Sequence, residues 1–208
     1  MAIVPNIRVI LASSSPRRQE LLQSLGVSFD VQPPQVTEDY VRALSPPEIV
    51  EDLSRRKALA VARTLQADQA PGDALVIGSD TVVVLDGDVL GQPADAREAQ
   101  QMLARLQGRG HRVYTGLALI TTCTDGKVVE EKSYVGHRCT EVYMRQLSEA
   151  EIDRYVATEE PLDKAGAYAI QGFGATFVDK IVGDYFTVVG LPLTLLAKLL
   201  RRAGYRLF

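Results

Sequence analysis

The sequence predicts an α/β protein built on a mixed twisted sheet with flanking helices. Two observations carry that expectation. Strand-like and helix-like patterns alternate early in the chain, and the middle of the chain is rich in hairpin signals, so the sheet is mixed rather than purely parallel. A third observation bounds it. The chain has 208 residues, 46% of them hydrophobic and 24% charged, as in ordinary globular proteins. Such a chain buries roughly 70% of its unfolded surface and needs no metal or disulfide to hold a core. At roughly 150 residues per domain, it is one domain over residues 1–208, with room for two lobes.

The elements follow in order. Val9-Ile10-Leu11-Ala12 is a short apolar strand, interrupted by Ser13-Ser14-Ser15-Pro16. Ser15 suits a helix N-cap and Pro16 the first helical position, where no intrahelical N–H is needed. Leu21, Leu22 and Leu25 form one face of that helix, and Gly26 supplies a left-handed stop. Ser45-Pro46-Pro47-Glu48 repeats the start signal as a capping box, opening a long helix to about Leu65. Leu75-Val76-Ile77-Gly78 is a strand ending at Ser79-Asp80-Thr81. The run to Leu85 continues in β-branched residues, and Asp86-Gly87 is a hairpin turn. Asp95-Ala96-Arg97-Glu98 opens another helix, which Gly108 ends. Val113–Thr122 and Val128–Tyr143 read as two long strands around Asp125-Gly126, and Ser148 caps a short helix. Strand character is expected from Gly166 to Val182, and Pro192 opens a C-terminal leucine-rich helix.

Global features exclude several classes. Lys plus Arg is 23 against 26 Asp plus Glu, a net charge of −3, which argues against a nucleic-acid polymer as partner but not against a small anionic ligand. No apolar run approaches the roughly 18 residues of a membrane span, and the N-terminal stretch does not read as a signal peptide. Cys123 and Cys139 lack the spacing of a zinc site or redox pair. They are expected in neighbouring strands as reduced, packed thiols, in a cytoplasmic protein.

Three places suit chemistry. In Ser13-Ser14-Ser15-Pro16-Arg17-Arg18, a helix N-terminus with two guanidinium groups makes a phosphate site. Taken alone, it reads better as an ordinary capped helix with solvated arginines, though cations in a first turn oppose the dipole and suggest an anion nearby. Asp80, expected at a strand end, suits Mg²⁺ binding or orientation of a water, or else a local turn cap. Glu38 and Asp39 offer further carboxylates, with solvation as the default. In Glu160-Pro161-Leu162-Asp163-Lys164-Ala165-Gly166 and Gln171-Gly172, a lysine and close glycines bring a cation and backbone toward a ligand, and Gln171 offers both a donor and an acceptor. Lys57, after Arg55 and Arg56, is read by default as part of a solvated basic face, with a phosphate contact as the sharper alternative. His111 is read as structural and His137 has no assignment.

Four ordered blocks raise a specific likeness. Leu11-Ala12-Ser13-Ser14-Ser15-Pro16-Arg17-Arg18 resembles the N-terminal signature of the Maf-like nucleoside triphosphate pyrophosphatases. Gly78-Ser79-Asp80-Thr81-Val82-Val83, the stretch Glu160 to Gly172, and Val188-Val189-Gly190-Leu191-Pro192-Leu193 match in the same order. Gly108, His111, Val113 and Thr115-Gly116 fit the central stretch. The resemblance implies an elongated, two-lobed fold of the inosine triphosphate pyrophosphatase type with a central cleft. It implies cleavage of a nucleoside triphosphate to monophosphate and pyrophosphate with a divalent cation, Mg²⁺ or Mn²⁺.

By the same resemblance, Asp80 matches the catalytic base and shares the metal with Glu38. Ser13, Arg18, Lys57 and Lys164 match phosphate-binding positions. Arg17, Thr81 and Gln171 stand where subfamilies differ, and their combination resembles the branch acting on dTTP and UTP. A branch acting on 7-methyl-GTP carries Trp, Gln and Glu there. Glutamine answers the mixed edge of uracil or thymine, whereas glutamate suits the donors of guanine. The chain departs from the pattern at Gly91-Gln92-Pro93, where the family usually has Lys, so one cation is missing. Losing one transition-state charge contact costs on the order of 10²-fold in rate. The alternatives are a pyrophosphatase of different base preference, including house-cleaning of modified nucleotides, and a nucleotide-binding regulator of cell division and septum formation with weakened catalysis. A homodimer is compatible with the resemblance.

Overall fold

The structure is a computed structural model that describes residues 7–37, 39, 43–67, 73–122 and 128–207, without the side chains of 66, 67 and 128–131. Its elements run β1 (Arg8–Ala12), α1 (Pro16–Ser24), β2 (Asp30–Val31), α2 (Pro46–Ala67), β3 (Ala74–Leu85), β4 (Asp88–Leu90), α3 (Ala96–Leu106), β5 (Gly110–Thr122), β6 (Val128–Met144), α4 (Glu149–Val156), β7 (Val178–Val182), α5 (Tyr185–Val189) and α6 (Leu193–Arg202). The strands form one seven-stranded sheet in the order β2-β1-β3-β5-β6-β7, with β4 beside β3. β1 pairs parallel with β2 and β3, whereas β3–β4 and β6–β7 are antiparallel, so the sheet is mixed as expected. Among the described residues, no helix is long and apolar enough to cross a membrane.

The chain divides into two compact units. The first comprises Met1–Asp80, Thr115–Arg138 and Gly190–Phe208, and the second Thr81–Tyr114 and Cys139–Val189. In the first unit, α2 lays Ala58, Leu59, Val61, Ala62 and Leu65 on Ile10, Val76, Ala118 and Ile120 of the sheet. Glycine makes this close approach possible. A Cβ at Gly78 would lie 2.3 Å from the Ser54 carbonyl oxygen, and one at Gly116 would lie 2.0 Å from that of Val50. In the second unit, Leu103 and Leu106 of α3 and Ile152, Tyr155 and Val156 of α4 pack with Val83, Leu85, Val113, Val142 and Phe177.

Local signals place most element boundaries. Asp86 and Gly87 both take positive φ, 53° and 90°, so the β3–β4 hairpin forms at the expected dipeptide. The Asp95 side chain accepts from Glu98 N at 2.8 Å to cap α3, and Ser148 with Glu151 completes a reciprocal capping box on α4. At α2 only half of the expected box forms, with the Ser45 N–H and hydroxyl both donating to Glu48.

Four expectations need correction. Ser15 sits at the N-cap of α1, but its side chain makes no capping bond. β3 does not end at Gly78–Thr81; the β-branched run beyond carries the ladder to Leu85 and puts Asp80 in mid-strand. Gly166–Val182 is not a strand throughout. Gly166, Ala167 and Gly172 adopt φ of 70°, 57° and 67°, which breaks the ladder into 3₁₀ turns at Ala165–Ala167 and Gly172–Phe177 and leaves only β7 extended. Cys139 is a free thiol, as expected, but exposed rather than packed; Cys123 and the Asp125-Gly126 turn lie outside the described residues.

Candidate active site

In the first unit, the first sequence block meets parts of two others, Gly78–Asp80 and Gly190–Leu193. α2 carries Lys57 to β3, where its Nζ donates to Asp80 Oδ1 at 2.6 Å with both side chains buried. A buried charge is tolerated only when paired, so each of these two groups requires a partner of opposite sign. The default reading of Lys57 as part of a solvated face is therefore overturned. Gly78 explains how the pair forms: without a Cβ, β3 lies against α2 at Ser54 and Ala58, either side of Lys57.

The serine-rich turn, between β1 and α1, lies in the same unit. Ser13 is buried, and its Oγ accepts from Ser15 N and from Arg18 Nη1, each at 3.2 Å. Arg18 Nε donates to the Gly190 carbonyl at 2.8 Å, and Ser79 Oγ lies 2.9 Å from that same oxygen and from the Gly116 carbonyl. The Gly190 carbonyl thus links the turn to Ser79, the residue before Asp80. The first turn of α1 carries no acidic residue, and Arg17 and Arg18 lie within it. Sequence reasoning gave Ser79 no role. A hydroxyl in a buried mid-strand position is the signal that could have found it, because it must find an acceptor.

The second unit holds Thr81, Lys164 and Gln171. Lys164 is buried, with Nζ donating to the Glu160 carbonyl and to the Asp163 carboxylate. Gln92 Nε2 donates to the Asp163 carbonyl at 3.1 Å, and Gly166 N donates to the Gly91 carbonyl at 3.0 Å. The departure from the usual lysine therefore places a neutral clasp on the segment that carries Lys164. The Gln171 side chain makes no hydrogen bond among the described residues and is half-buried.

His111, read from sequence as structural, lies in the second unit. It is buried with Nε2 2.7 Å from the Tyr168 hydroxyl, and burial lowers its pKa to about 4. Burial also raises the pKa of Tyr168, which keeps its hydroxyl protonated. His137, unassigned from sequence, places Nδ1 2.7 Å from Glu51 in the first unit.

Glu38 lies outside the described residues, so its expected metal role has no structural account; Asp39 is exposed, and its carbonyl accepts from Arg56. Among the described residues, no group of three or more His, Cys, Asp or Glu is placed to hold a metal ion. Asp80 alone still suits a hard cation, since Mg²⁺ is commonly held by one or two carboxylates together with substrate phosphates and waters.

The comparisons with known proteins agree with the four blocks. The family model described as "Maf-like protein" matches residues 8–203. A "dTTP/UTP pyrophosphatase" of Pelotomaculum thermopropionicum is 50% identical over 95% of this chain and 97% of its own length. One of Symbiobacterium thermophilum is 49% identical over 97% of this chain and 96% of its own. Among solved structures, the Staphylococcus aureus Ham1 protein is 14% identical, covering 82% of this chain and 79% of its own, with a TM-score of 0.40. The matched residues run from β1 to just beyond α6 and take in both units, so the chain belongs to the Maf-like protein family.

Proposed function

We propose that this protein is a nucleoside triphosphate pyrophosphatase that hydrolyses dTTP and UTP to the monophosphate and pyrophosphate. The observation that carries the reading is the buried Lys57–Asp80 pair beside the Ser13–Arg18 turn, with the names of relatives about 50% identical in support. Asp80 orients a water and takes its proton. The water oxygen bonds to the α phosphorus, the bond from that phosphorus to the α–β bridging oxygen breaks, and pyrophosphate leaves. Ser13, Arg18, Lys57 and Lys164 hold phosphate charge, since phosphoryl transfer is catalysed mostly by positioning and electrostatics. Arg17, Thr81 and Gln171 select the nucleotide, with Gln171 answering the mixed donor and acceptor edge of uracil or thymine. Asp80 and Glu38 would hold a divalent cation, Mg²⁺ or Mn²⁺, which would supply positive charge against the phosphate oxygens. The same proposal places the enzyme in the cytoplasm, where the exposed Cys139 thiol stays reduced, and includes a homodimer.

A panel of canonical and modified nucleoside triphosphates, scored by pyrophosphate release at saturating Mg²⁺, tests the reading. UTP and dTTP should lead the panel by at least ~10-fold in kcat/KM, the scale of one good polar contact. Equal rates across the bases would overturn the base preference. Tight nucleotide binding with no hydrolysis would overturn the enzyme and favour the regulator reading, for which the neutral Gln92 is the observation in hand.

A further inference from the structure

Glu160 lies in the third sequence block but has no part in the chemistry above. Its carboxylate accepts from the Tyr155 hydroxyl at 2.9 Å and from the backbone N–H groups of Gly174 and Phe173, each at 3.1 Å. Those two amides belong to the turn that begins immediately after Gln171. Gly172 wraps round the carboxylate with φ of 67°, and a Cβ there would be strained and would lie 2.7 Å from a Glu160 oxygen. On the other side, the Glu160 backbone carbonyl accepts from Lys164 Nζ. Partial burial would raise the Glu160 pKa. The Gly174 and Phe173 amides, the Tyr155 hydroxyl and the Lys164 charge outweigh it and hold the carboxyl below its usual range. The group is therefore an anion at neutral pH, bonded on both oxygens.

We infer that Glu160 is a positioning residue for base selection: it fixes the turn that presents Gln171 and ties that turn to the segment carrying Lys164. This rests on the reading of Gln171 as the residue that answers the base. Hydrogen bonds weaken steeply with angle, so a side chain reading an edge needs a backbone that does not drift. Three donors on one carboxylate supply that rigidity, and charge-assisted bonds are the stronger kind. When the carboxylate is removed, the Phe173 and Gly174 amides lose their acceptor and the Gln171 amide samples several directions. Selectivity then falls before triphosphate handling does.

The test compares kcat/KM for UTP, dTTP, CTP and GTP, with Tm alongside, in the wild type, Gln171→Ala, Glu160→Ala and the double variant. Gln171→Ala should erase most of the preference for UTP and dTTP. Glu160→Ala should lower kcat/KM for those two by about 10-fold, one good polar contact, mainly through KM, and leave CTP and GTP within about 2-fold. The double variant should be no less selective than Gln171→Ala alone, the non-additivity of two residues acting as one unit. If Gln171→Ala keeps the preference, the reading of Gln171 fails and the positioning role with it. If Gln171→Ala loses the preference but Glu160→Ala slows all four substrates equally, only the positioning role fails, and the carboxylate is structural. Glu160→Gln, which keeps the size but sets an amide nitrogen against one of the donors, carries the same comparison if Glu160→Ala does not fold.

Discussion

Lys57 and Asp80 are both buried and 2.6 Å apart, and each is costly without the other. Asp80→Asn keeps the size and an oxygen that still accepts from Lys57, but cannot take a proton from water. Turnover of UTP should fall at least ~10²-fold, and the urea midpoint should fall as well, because a neutral amide leaves the buried Lys57 ammonium without this anion. Lys57→Met instead leaves the buried carboxylate without this cation, and the fold should lose on the order of 3 kcal/mol. Urea melts and UTP turnover of both variants check the pair, and unchanged turnover in Asp80→Asn would remove Asp80 from the chemistry. Asp80 was legible in the sequence as a candidate because a carboxylate in an apolar run is conspicuous. The pairing was not, because the two residues lie 23 positions apart and nothing in either segment names the other.

At the scale of elements, α2 is the part that brings chemistry to the sheet, and it can do so only over Gly78 and Gly116. A methyl at Gly116 would stand 2.0 Å from the Val50 carbonyl, backbone that cannot swing aside, so the helix itself must move. Gly116→Ala should cost about 2 kcal/mol of stability by overpacking and lower UTP turnover, since Lys57 rides on α2. Gly91→Ala, where an added Cβ meets nothing within 4 Å, should leave Tm unchanged. Equal Tm values for the two variants would sink the close-approach argument. Helix starts were legible because Pro16, Ser45–Glu48, Asp95 and Ser148 are local devices. The segment from Gly166 to Val182 misled because its apolar residues suit a strand, whereas Ala167 takes φ of 57°, a conformation no propensity assigns to alanine.

For the whole molecule, the pH response has an identifiable source. His111 is neutral in the fold, its pKa lowered by burial from 6.5 to about 4, while the unfolded chain binds a proton near 6.5. Its contribution is complete above pH 6.5 and is lost as the pH falls from 6.5 toward 4, because the unfolded state then binds more protons. Over that window, stability should drop by about 3 kcal/mol. Urea midpoints at pH 7.5, 5.5 and 4.5 should fall more steeply in the wild type than in His111→Gln, and equal slopes would sink the assignment. Below pH 4.5 the carboxylates add their own loss. Glu151 is the clearest, with its pKa held at about 2 by the Arg145 guanidinium and by the Ser148 capping bonds.

By itself, the sequence determined the class of the fold, the helix starts, the tight hairpin and the residue types available for phosphate chemistry, because periodicity, caps and turn dipeptides act within a few residues. The four ordered blocks went further and pointed to the family. Only the tertiary structure decided which of those residues meet. It buried Lys57 against Asp80, joined Arg18 and Ser79 through the Gly190 carbonyl, and closed the Gly172 turn on Glu160. Each of these contacts spans 12 or more residues of chain, and at Lys57, Asp80 and Ser79 burial forces a charge or a polar group to find a partner that local pattern does not specify.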